Sequence, residues 1–150
     1  MPAERLIFEM GLYKATFPVD LDYSESHFWF KTLENGRTRC GLGAYAARLL
    51  TDLFRIDWKV YTGEKILCEQ VLGEVESTKA SSELYSPITG TLSDINTAAV
   101  NDPSLLTIDP YEHWLLEFDA RPDKPMPAEA YIAFLASGWE DTVKMLKGQV

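Results

Sequence analysis

Apolar and polar positions alternate through much of the first two-thirds of the chain, which predicts strands with one face buried. Residues 9–17 alternate loosely and stop at Pro18. His27-Phe28-Trp29-Phe30-Lys31 has the aromatic density of a short strand, Glu34-Asn35-Gly36 supplies a turn, and residues 37–42 form the returning strand. Residues 54–60 alternate strictly up to a turn at Thr62-Gly63-Glu64. Residues 66–76 read as a strand, with Gly73 as a bulge or a point of close backbone approach. Trp114, Leu116 and Phe118 alternate with Leu115 and Glu117 to give a closing strand.

The period changes to that of a helix at three places. Ala46, Leu49, Leu50 and Leu53 fall on one helical face, predicting a short helix within residues 43–53. Asn101-Asp102-Pro103 opens a helical turn over residues 103–106. After a stiff connector carrying Pro122, Pro125 and Pro127, Tyr131, Phe134 and Leu135 share one face. Trp139, Val143 and Leu146 share another, with Ser137-Gly138 as the expected break between two segments. The pattern predicts a mainly β fold of one domain, residues 1–150. Its core spans about residues 10–119, and residues 121–150 form a helical appendage too short to bury a core alone.

Composition narrows the function. With 150 residues and 46% hydrophobic content, the chain suffices for one compact core. The formal charge of -9 repels nucleic acid and anionic membrane, and suits transient docking on basic patches of larger partners. The first ten residues lack the pattern of a signal peptide, and no window has the apolar length of a membrane span. Cytoplasm is the expected compartment. Cys40 and Cys68 are too few for a disulfide scaffold, but they form a possible redox pair. Together with His27 and His113 they match no zinc-ligand spacing, so no metal is expected. No Ser/His/Asp or Cys/His arrangement and no phosphate-cradling glycine loop points to an autonomous enzyme.

The chemistry centres on Glu76-Ser77-Thr78-Lys79-Ala80-Ser81, between strand candidates at residues 71–75 and 84–88. Short polar residues around one lysine predict a hairpin tip that holds its amine in water, with Ser77, Ser81 and Ser86 satisfying turn amides. Lysine offers a primary amine on a flexible four-carbon stem, the group an acylating enzyme needs.

The run from Gly73 to Gly90, GEVESTKASSELYSPITG, resembles the lipoylation site of the glycine cleavage system H-protein family, G-x-V-E-S-V-K-A-x-S-x-L-x-S-P-x-x-G. Ser26-His27-Phe28-Trp29-Phe30 is similar to that family's S-H-E-W-V, and Gly41-Leu42-Gly43-Ala44-Tyr45-Ala46 to its G-I-T-D-Y-A. Residues 96–111 resemble its N-x-x-L-x-x-x-P-x-L-x-x-x-x-P-Y pattern. The resemblance implies a lipoyl/biotinyl-domain-like β-sandwich or flattened barrel. It also implies lipoate joined to Lys79 as an amide and a carrier that is not itself an enzyme. The implied partners are a lipoate ligase or lipoyl/octanoyl transferase, and multi-enzyme oxidoreductases that the arm visits. A biotin carrier shares the fold, but its lysine is typically flanked by methionines, not by Thr78 and Ala80.

Several features depart from that family. Leu50-Thr51-Asp52 stands where L-G-D is usual, and Trp58-Lys59-Val60-Tyr61 is a bulkier lead into Gly63. No glycine precedes Trp114, and residues 121–150 are expected to lie beyond the family's end. Together they resemble the lipoate-binding proteins of heterodisulfide-reductase-like sulfur oxidation, implying an arm that carries sulfur. The alternative is the glycine-cleavage carrier of an aminomethyl group among glycine decarboxylase, aminomethyltransferase and dihydrolipoyl dehydrogenase. A non-lipoylated adaptor that docks through its acidic face is a third reading.

Overall fold

The computed structural model describes residues 4–148, with side chains through residue 143. An N-terminal hairpin pairs β1 (Arg5–Met10) with β2 (Tyr13–Pro18). The single strand expected over residues 9–17 is therefore two, because Gly11 takes a positive φ of 65° and reverses the chain there.

Seven strands make the larger sheet: β3 (Asp22–Tyr23), β4 (Phe28–Thr32), β5 (Thr38–Leu42), β7 (Lys65–Ile66), β10 (Gly90–Ile95), β11 (Leu116–Asp119) and β12 (Met126–Pro127). Their spatial order is β12-β3-β4-β5-β11-β10-β7, so the sheet is open rather than closed. A second sheet orders β6 (Leu53–Trp58), β8 (Val71–Ser77) and β9 (Ser81–Tyr85) as β6-β8-β9. Between the sheets lies a core that includes Phe28, Leu42, Ile56, Leu72, Val75, Ile88, Leu92 and Phe118. The mainly β, sandwich-like expectation is met.

Gly73 fulfils both readings of it. The β8–β9 register shifts between Val71 and Gly73, and a Cβ on Gly73 would meet the Asp57 carbonyl oxygen at 2.3 Å. The strand expected over residues 66–76 breaks at a tight turn, where Glu69 adopts φ 72° and its amide donates to the Ser86 carbonyl. Leu116, Glu117 and Phe118 are all buried, since β11 lies between β5 and β10 inside the sheet, so its expected alternation is absent. Glu117 is satisfied by Arg37 at 3.4 Å, Arg39 at 3.2 Å and the Ser93 hydroxyl.

Helix α1 (Ala44–Leu50) matches the expected internal helix. The helical turn expected at residues 103–106 is instead two short helices, α2 (Thr97–Asn101) and α3 (Leu105–Ile108). Pro103 forces Asp102 out of the helical region, ending the first before the second begins. The proline connector contributes β12, paired with β3.

The expected break at Ser137-Gly138 does not occur: α4 (Ala128–Gly148) is continuous. Its inner face closes a second core in which Tyr131 stacks on Tyr23 at 5.0 Å and Trp139 meets Phe8 edge-on at 5.6 Å. Leu146 lies outside the residues whose side chains are described. Among the described residues, no helix is long and apolar enough to cross a membrane.

Candidate functional site

The β8–β9 hairpin turns at Ser77, Thr78, Lys79 and Ala80. Ser77 is buried beneath the tip, and its hydroxyl accepts the Ala80 amide at 3.2 Å and the Lys79 amide at 3.4 Å while donating to the Ala80 carbonyl at 3.1 Å. One small side chain thus satisfies backbone groups that a four-residue reversal would leave open. Thr78, Lys79 and Ala80 are exposed, and no ion pair engages Lys79 among the described residues. The tip therefore presents an exposed primary amine on a loop braced by the Ser77 hydroxyl.

Glu76 lies in β8, paired across the hairpin with Ser81, and its carboxylate sits 3.6 Å from Arg55. Glu83 is exposed and accepts the Tyr85 hydroxyl. Ser86 is buried, accepting the Ile88 amide and donating to the Ile88 carbonyl, a turn role as expected. His27 precedes β4 with φ 72°, and its Nδ1 lies 2.8 Å from the Tyr131 hydroxyl. Burial lowers its pKa to about 4, so it is a neutral, packed histidine at pH 7.

The two cysteines are both free thiols and lie in different parts of the fold. Cys40 is fully buried in β5 within the core between the sheets. Cys68 lies in the β7–β8 turn beside Asp123, and the backbone amide of Cys68 donates to Thr89. Burial raises both thiols above their ordinary range. Among the described residues, no cluster of three or more His, Cys, Asp or Glu could hold a metal.

A cleft of about 240 Å³ opens beside the tip, lined by Met10, Arg48, Leu49, Thr51, Lys79 and Trp139. It joins the N-terminal hairpin, the end of α1, the β8–β9 turn and α4. Only Lys79 among these was a site candidate from sequence; the one sequence signal for the rest was the departure at Thr51.

The sequence profile described as "Glycine cleavage H-protein" matches residues 21–134. The chain belongs to the glycine cleavage H-protein family. A probable glycine cleavage system H protein of Thermococcus gammatolerans is 35% identical over 136 residues, covering 87% of this chain and 99% of that protein. The glycine cleavage system H protein of Streptomyces coelicolor is 35% identical over 120 residues, covering 78% and 95%. A crystal structure of the H protein from Mycobacterium marinum superposes with a TM-score of 0.72 at 31% identity, covering 80% of this chain and 99% of that one. H-proteins carry lipoate covalently on a lysine. The profile match also corrects the expected family boundary. It runs into α4, so residues 121–134 lie inside the family's span, and Ala128 and Tyr131 are part of the second core.

Proposed function

We propose that Lys79 is the lipoylated residue and that the chain is a single-domain carrier, not a catalyst. The observation carrying this reading is the exposed, unpaired amine at a tip that Ser77 holds rigid. A lipoyl group suits the site, because the amine stands clear for acylation and an apolar-walled cleft adjoins it. When bound, the group supplies a dithiolane that is reduced to a dithiol and carries a fragment on sulfur. The chain's own residues do the rest. Ser77 fixes the turn, Thr78 and Ala80 leave the lysine accessible to a ligase or transferase, and the acidic surface favours brief docking on basic partners in the cytoplasm. Tethering raises the local concentration of the reactive sulfur at each partner.

Aminomethyl transfer among the glycine cleavage enzymes is the cargo reading that the relatives favour. The sulfur-carrying reading rests on the departures at Thr51 and in the outer part of α4, and on the positive charge of the cleft that these residues wall. A non-lipoylated adaptor has no observation of its own in its favour.

Intact-mass measurement on protein from lipoate-replete cells should show one lipoyl increment, absent from Lys79→Arg. A lysine left bare beside a competent ligase would refute the assignment.

A further inference from the structure

The small sheet turns one face to solvent, and charge is unevenly placed on it. Ile56, Val75 and Leu84 point into the core between the sheets, which leaves Arg55, Asp57, Glu74, Glu76 and Glu83 on the outer side. Asp57 lies opposite Glu74, and Glu74 opposite Glu83, so carboxylates fill one row across β6, β8 and β9. Like charges directly opposite one another destabilise a sheet. Lys59 at 2.8 Å and Arg55 at 3.8 Å offset Asp57. Neither Glu74 nor Glu83 has an ion pair among the described residues, and Glu83 accepts the Tyr85 hydroxyl instead.

An apolar side chain stands at the end of this face nearest the attachment turn. Leu53 pairs with Ser77 and Arg55 with Glu76, so Phe54 is an extra residue with no partner on β8. It is 56% exposed, although phenylalanine is among the residues most often buried. Ser77, across the ladder from Leu53, is the residue that braces the Lys79 loop. An aromatic anchor bordered by unpaired charge has the make-up of a protein–protein contact, apolar at its centre and polar at its rim.

The attachment chemistry selects the partner that needs this face. Acylation joins Nζ to the carbonyl of an activated lipoyl group, an acyl-adenylate or acyl thioester, expels the activating group with its bonding pair and releases a proton. The bare lysine brings only its four-carbon stem to that step, so the acylating enzyme must close on the turn itself. A specific contact covers about 20–30 residues on each side, far more than the turn, and must therefore run onto the flanking strands. An attached lipoyl chain carries the dithiolane farther out, and later partners need less of this cover. Assuming Lys79 is the lipoylated residue as proposed above, we infer that the outer face of β6-β8-β9 is the docking surface for the acylating enzyme. Phe54 is its anchor and the row Asp57, Glu74 and Glu83 its rim. The enzyme meets them with an apolar socket edged by lysine or arginine side chains.

The test follows lipoylation of unmodified full-length protein by a lipoate ligase with lipoate and ATP, timed by intact mass, with melting temperatures measured alongside. Phe54→Ala should lower kcat/KM about tenfold through KM, and Phe54→Leu should recover most of the loss. The double variant Glu74→Gln with Glu83→Gln should lower kcat/KM by a similar factor and flatten its dependence on salt. It should melt no lower than the parent, because the repulsion across the row is gone. Glu34→Gln, which removes an exposed carboxylate from the β4–β5 turn, should change neither rate nor melting. Parental rates in both Phe54→Ala and the double variant would overturn the inference while leaving Lys79 as the lipoylated residue. A concentration-dependent dimer abolished by Phe54→Ala would also overturn it, since the face would then join two copies of this chain. Absence of the lipoyl increment from the parent protein would overturn both readings.

Discussion

The Ser77 hydroxyl bonds both ends of Ala80, accepting from its amide at 3.2 Å and donating to its carbonyl at 3.1 Å. That clamp shapes the loop on which Lys79 stands, so its removal separates loop order from the lysine itself. Ser77→Ala should lower stability by about 1 kcal/mol and slow lipoylation by the ligase. Lys79→Arg, an exposed change, should leave the melting temperature unaltered while abolishing the modification. Chemical denaturation and a timed intact-mass assay read the two effects. Unchanged lipoylation kinetics in Ser77→Ala would show that the clamp is dispensable for presentation.

Gly73 sets the approach of β8 to β6. A Cβ there would lie 2.3 Å from the Asp57 carbonyl oxygen and 2.9 Å from the Trp58 Cα, both backbone atoms that cannot rotate away. Gly73→Ala should cost on the order of 2 kcal/mol in urea unfolding. The neighbouring exposed change Glu74→Ala should cost far less.

Burial holds the His27 pKa at about 4, below its ordinary 6.5. Protonation is therefore harder in the folded state, and the unfolded chain binds more protons between those values. Stability contributed by neutral His27 is present above pH 6.5 and is lost as pH falls toward 4, by at most about 3 kcal/mol. His27→Gln should flatten this slope in a series of melts from pH 7 to pH 4. A slope unaltered by the substitution would assign the acid sensitivity to other groups.

The two thiols should react unequally. Cys40 is fully buried and Cys68 partly exposed, so a thiol reagent at neutral pH should label Cys68 slowly and spare Cys40 until the protein unfolds. Peptide mass mapping distinguishes them. Rapid labelling of Cys40 in the native state would mean that the core between the sheets opens locally.

Local signals carried most of the fold and the attachment loop. The tip was legible because Glu76, Ser77, Thr78 and Ser81 are short or polar and flank one lysine, and because Asn35-Gly36 and Gly63 mark reversals that only permissive residues make easily. Gly11 was missed because a two-residue hairpin inside an alternating run leaves the period almost undisturbed. Ser137-Gly138 misled in the opposite direction. Glycine costs a helix about 1 kcal/mol relative to alanine, but the packing of Tyr131, Leu135 and Trp139 on either side outweighs it. Glu117 broke the expected alternation because two arginines follow it into the sheet, a compensation visible only once β5 and β11 are paired. The cleft was illegible for a related reason. Its walls come from four remote segments, and no local window contains two of them except at residues 48–51.

An unjointed α4 ties together two places that the family boundary would keep apart. Tyr131, at one end of the rod, bonds His27 and stacks on Tyr23 of the large sheet; Trp139, two turns farther along, faces the hollow beside Lys79. A chain trimmed at residue 134 would retain the first grip and lose the second, keeping the attachment lysine but not the wall beside it. Conversely, a partner that levers the outer end of the helix would tug on the sheet and reshape the lysine's surroundings in a single stroke.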